Sequence, residues 1–82
     1  MNKQEKFEQT IIKEIEKWNP ICLSNPQNNY FDIINDIIDL TTYKSAKSTI
    51  ARAIRKSVLV TYGKQFSSEE CAVIAENIKS QL

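Results

Sequence analysis

The 82-residue sequence contains no histidine. That absence removes the side chain that most often serves as general base, and the commonest metal ligand, near neutral pH. The only glycine is Gly63, so Gly-rich phosphate cradles of the Walker or Rossmann kind are excluded. Two cysteines, Cys22 and Cys71, are too few for a disulfide framework, and without histidine partners they do not make a zinc site. Both are expected to be reduced thiols filling the core. No apolar run exceeds a few positions, which excludes a transmembrane helix. The opening MNKQEKFEQT lacks the apolar centre of a signal peptide, so a cytoplasmic location is expected. These absences leave no catalytic residue, no metal site and no cofactor site to name, and an enzyme is not expected.

What is present is enough for one compact helical domain over residues 1–82. Apolar residues make up 41 % of the chain, too many for a disordered tail. Alternating strand patterns are missing, while apolar residues recur at spacings of three and four. Phe7, Ile11, Ile15 and Trp18 place a first helix over about 3–17. Its lysines and glutamates, with Glu14–Lys17 and Lys13–Glu16 at pairing distance, predict a solvated outer face. A second helix is predicted from an N-cap at Asn28 or Asn29 to Leu40, with Tyr30, Ile33, Ile34, Ile37 and Ile38 inward. A third runs from Lys44 or Ser45 to Tyr62, stopped by Gly63, with Ala46, Ile50, Ala53, Ile54, Ser57 and Val60 on a narrow face. A fourth starts at a capping box, Ser67 and Glu70, and carries Cys71, Ile74, Ala75, Ile78 and Leu82 inward. The expected architecture is an all-α, small antiparallel four-helix bundle.

The first two helices are joined by an irregular segment containing both prolines. Pro20 and Pro26 forbid helix and push Asn19 and Asn25 toward extended geometry. Ile21, Cys22 and Leu23 are then expected as an extended patch closing the end of a small core. Trp18 is expected to bury most of its ring there. The segments WNP at Trp18–Pro20, YFDIINDI at Tyr30–Ile37 and ECAVIA at Glu70–Ala75 resemble the YugE-like family of small Bacillus-type helical proteins of unknown function. The resemblance implies a small helical fold with an irregular link after the tryptophan; it implies no activity and no functional residues.

Net charge is only +1, yet the charges are segregated. Between Trp18 and Tyr43 the charged residues are three aspartates; between Lys44 and Ser68 they are six lysines and arginines. Asp32, Asn35, Asp36 and Asp39 fall within about 100° of one another on the second helix, at 3.6 residues per turn. Aspartate is a poor helix former, so this stripe is held against propensity. The bland expectation is that the two helices lie side by side and pair their charges at the seam. The functional expectation is a protein-binding module whose acidic face meets a basic partner. Its most concrete form is a cytoplasmic immunity protein covering the basic active site of a bacterial nuclease-type toxin. One alternative is a regulatory protein of the YugE-like type; another, set against the same charges, is nucleic-acid binding through Lys44, Arg52, Arg55 and Lys56, with Tyr43 or Tyr62 stacking on a base. A sequence pI of about 7.7 speaks against it.

Overall fold

The computed structural model describes residues 2–82. Four helices make up the described chain, α1 (Lys3–Trp18), α2 (Phe31–Leu40), α3 (Lys47–Tyr62) and α4 (Ser68–Ser80), with no strand among those residues. They pack in a ring: α1 contacts α2 and α4, and α3 contacts α2 and α4. Contacts near the helix ends fix the directions. Gln4, at the start of α1, accepts from the Tyr43 backbone just beyond α2. Tyr62, ending α3, stands edge-on to Tyr30 at the start of α2. Lys47 and Arg55 of α3 meet Glu76 and Ser68 of α4, respectively, so that pair also runs in opposite directions. The bundle is all-α and antiparallel.

Three of the helices have a local cause at one end. Asn2 caps α1: its Oδ1 accepts from the Glu5 N–H at 2.8 Å, and its amide donates to the Glu5 carboxylate at 2.9 Å. Gly63 ends α3 in the left-handed region (φ 66°), its N–H donating to Leu59 at 2.8 Å. Ser67 caps α4 by accepting from the Glu70 N–H at 3.1 Å. The core is built from Phe7, Ile11, Ile15, Tyr30, Ile33, Ile34, Ile37, Ile50, Ile54, Val58, Cys71, Ala75 and Ile78, drawn from all four helices.

Several sequence expectations are corrected. α2 begins at Phe31, and neither Asn28 nor Asn29 caps it. Asn28 is left-handed (φ 63°), and Asn29 spends its amide on the carbonyls of Asn25 and Gln27, so both serve the link instead. α3 starts at Lys47, and Lys44 stands in the preceding turn. There Thr42 and Ser45 side chains accept from the Lys44 and Thr42 N–H groups and hold the chain out of the helix. Val60 is 73 % exposed, because it lies about 120° around α3 from Ile54. Val58 takes its place in the core. Leu82 lies past the end of α4 and is exposed. Glu14 does not join a solvated face. It is 4 % exposed and accepts from the Gln81 amide at 3.2 Å, while Lys13 donates to the same side chain's oxygen. The lone salt bridge among the described residues joins Lys47 to Glu76 at 3.6 Å, so neither α1 pair forms.

The link between α1 and α2 is ordered by Asn19. Its backbone closes α1 in the left-handed region (φ 52°), donating to Ile15. Its side chain then exchanges two 2.9 Å bonds with the Leu23 backbone and accepts from the buried Tyr30 hydroxyl. Pro20 is buried, and Ile21 and Leu23 pack on the core, as a lid for a small bundle should. Cys22 departs from expectation: it is left-handed (φ 54°) and exposed, because the tight exchange between Asn19 and Leu23 turns it outward. Cys71 is fully buried, and burial raises its thiol pKa, with smaller opposing effects of Arg55 (lowering) and Glu70 (raising). A thiol reagent at neutral pH is therefore expected to modify Cys22 quickly and Cys71 only after denaturation. Two fast equivalents in the native protein would contradict this placement.

Trp18 is half-buried, with its ring edge-on to Phe66 at 4.8 Å between centroids. A ring that keeps part of its surface in water gains less than a core residue. Trp18→Ala is expected to cost about 1–2 kcal/mol in urea denaturation, below the 3–5 kcal/mol typical of a fully buried aromatic. A loss of about 4 kcal/mol or more would place the ring inside the core.

Candidate functional site

The acidic stripe is real in space. Asp32, Asn35, Asp36 and Asp39 are all exposed on α2, opposite the buried Ile33, Ile34 and Ile37. None of the three carboxylates has an ion-pair partner among the described residues. Charge pairing across the α2–α3 seam is thus absent, although the two helices do lie side by side. The stripe has no cationic residue on its own helix, and its carboxylates face solvent.

The stripe divides between two recesses. Asp32 borders a shallow depression of about 390 Å³ that includes Ile21, Leu23, Asn25, Asn29 and Tyr62. The Tyr62 hydroxyl has a raised pKa, first through burial and then through Tyr30 and the nearby Asp32 carboxylate. Asp36 and Asp39 border a second groove of about 340 Å³ along the seam, together with Leu40, Lys56, Ser57 and Val60. Its apolar part is exposed: Leu40 and Val60 keep 54 % and 73 % of their surface in water. Ser57 faces inward at 3 % exposure, and its Oγ has no hydrogen-bond partner. An unpaired buried hydroxyl costs about 1–3 kcal/mol, so its presence in a core position is unusual.

Arg52, Arg55 and Lys56 form one strip on α3, whereas Lys44 stands apart in the turn before it. Arg52 and Lys56 share a recess with Leu40, Thr49 and Ala53. Arg55 donates to Ser68 at 3.2 Å and shares a second recess with Arg52 on the side facing α4. Lys44 lies in the turn over the Tyr43 ring, 5.7 Å from its centroid. Of the two tyrosines considered for base stacking, each is half-buried: Tyr62 packs on Tyr30, and Tyr43 sits beneath Lys44 and carries a Lys79 hydrogen bond on its carbonyl. The seam groove and the orphan hydroxyl of Ser57 were beyond the reach of sequence reading. Ser57 has helical periodicity and a small side chain, so it reads as a packing residue until its hydroxyl is seen to lack a partner.

No group of three or more cysteine, aspartate or glutamate side chains converges as a metal site would require, among the described residues. Among them, too, no helix is long and apolar enough to cross a membrane. In comparisons with known proteins, no protein-family model, no curated protein and no solved structure matches this chain.

Proposed function

We propose that the protein is a non-enzymatic protein-binding module that presents the α2 carboxylates to a basic partner. The observation that carries this reading is the unpaired state of Asp32, Asp36 and Asp39, three exposed like charges on one helix face. Like charges on one face repel one another and gain little from surface pairing. A cationic partner removes that repulsion and is steered to the face before contact. In its most concrete form the module is a bacterial cytoplasmic immunity protein, with Asp32, Asn35, Asp36 and Asp39 covering the basic, nucleic-acid-binding surface of a nuclease-type toxin. The YugE-like resemblance fits the same small helical module and adds no activity to it. Lys44 stands apart from Arg52, Arg55 and Lys56, and Tyr43 and Tyr62 are half-buried, which favours a protein partner over a nucleic acid.

Capture from a lysate of the source organism tests the reading. The immobilised protein is expected to retain a basic protein, and the combined change Asp32→Asn, Asp36→Asn, Asp39→Asn is expected to lose it while remaining folded. The combined change of Lys44, Arg52, Arg55 and Lys56 to glutamine is expected to keep it. Retention by the aspartate variant together with loss by the glutamine variant would move the site to the basic residues.

A further inference from the structure

The α2–α3 seam carries both signs of charge across one apolar strip. Asp36 and Asp39 form its α2 edge, Lys56 its α3 edge, and exposed Leu40 and Val60 lie between them. Arg52 extends the basic edge beside Leu40.

We propose that this seam is a self-association surface whose occupant is the same seam of a second copy of this chain, related by a two-fold axis running along the seam. The charges select that axis. Rotation about a line parallel to the seam lays α2 of one copy over α3 of the other. The carboxylates of Asp36 and Asp39 then arrive over Lys56, and the contact is made twice by symmetry. Rotation about a line across the seam sets acid over acid and base over base, which is repulsive. Asp36, Asp39 and Lys56 border one groove, so they stand at the same level along it and come into register without sliding. Leu40 and Val60 of the two copies cover each other. A net charge of +1 leaves little long-range repulsion between copies. The small contact makes the dimer weak and reversible.

The proposal goes beyond the protein-binding reading and uses only part of its stripe. Asp36 and Asp39 would be covered in the dimer, whereas Asp32 borders the other recess and stays open. Self-association and a basic partner would therefore compete for two of the three carboxylates.

The test is sedimentation equilibrium of the purified chain over roughly 10–500 μM in reducing buffer, a range that brackets micromolar dissociation constants. Wild type is expected to dimerise reversibly, and more weakly in about 1 M salt, where screening falls to roughly 3 Å. Asp36→Lys with Asp39→Lys, and separately Arg52→Glu with Lys56→Glu, are each expected to weaken the dimer about tenfold or more, since like charges then face one another at both contacts. All four positions are exposed, and circular dichroism confirms that the variants stay folded. An equimolar mixture of the two variants is expected to restore association as a heterodimer. A wild type that stays monomeric throughout the range overturns the proposal, as does a dimer indifferent to both reversals or a mixture that stays monomeric. Asp32→Asn separates the two readings: it leaves the dimer intact and weakens only capture of a basic protein. A monomeric chain that still captures such a protein would overturn self-association and leave the partner reading standing.

Discussion

Asn19→Ala is expected to destabilise the protein by about 3–5 kcal/mol in urea denaturation, the sum of a backbone cost and three lost hydrogen bonds. Alanine in the left-handed region adopted here costs about 1–2 kcal/mol, which asparagine largely avoids through local hydrogen bonding. The side chain contributes further: its amide and carbonyl tie down Leu23, and the carbonyl accepts from Tyr30. Each such bond contributes about 0.5–1.5 kcal/mol, and the buried Tyr30 hydroxyl is left with a weak 3.3 Å bond from the Ile21 N–H. Two companion variants separate these causes. Asn19→Gly keeps the backbone and loses the side chain, so it should recover about 1 kcal/mol or more. Tyr30→Phe removes only the hydroxyl, and its effect should be non-additive with Asn19→Ala because both act on one network. An Asn19→Ala protein within about 1 kcal/mol of wild type would show that the link is not held by this residue.

Phe7→Ala is the other large effect. Phe7 is fully buried beside Ile11 and Ile15 in the common core. Its truncation is expected to cost about 3–5 kcal/mol through lost transfer energy and the cavity left behind. A chain of this length holds roughly 4–12 kcal/mol in total, at about 0.05–0.15 kcal/mol per residue. The melting temperature should fall by about 12 °C or more, at 4–8 °C per kcal/mol for a domain of this size. Val60→Ala is the paired control, because Val60 is mostly in water and should change stability by no more than about 0.5 kcal/mol. A Val60→Ala loss as large as that of Phe7→Ala would mean that α3 is rotated from the position described.

Helix number, order and type were legible because the signals behind them are local. The apolar spacing of α1, the capping serine of α4 and the single glycine after α3 each act within one or two turns. What was not legible depended on contacts made far along the chain. Glu14 is buried because Gln81, at the other end of the sequence, reaches it. Trp18 stays half-open because Phe66, between α3 and α4, is its neighbour in place of the centre of the core. The asparagines before α2 look like caps in the sequence because asparagine commonly caps helices. Asn29 bonds backward along the link and Asn28 sits in a left-handed turn, both equally suited to the same side chain. On the acidic face, the stripe itself was legible from helical geometry alone. Its lack of counter-ions was not, because adjacency of α2 and α3 does not bring Lys56 into an ion pair with Asp36 or Asp39.

The most direct test of the acidic-face account is the association rate with a captured basic partner across a salt series. Wild type is expected to associate fast at low salt and to slow as salt is raised. The variant carrying Asp32→Asn, Asp36→Asn and Asp39→Asn is expected to associate about tenfold or more slowly at low salt, with a flatter salt dependence and an unchanged circular dichroism spectrum. An association rate and salt slope equal to those of wild type would contradict the account.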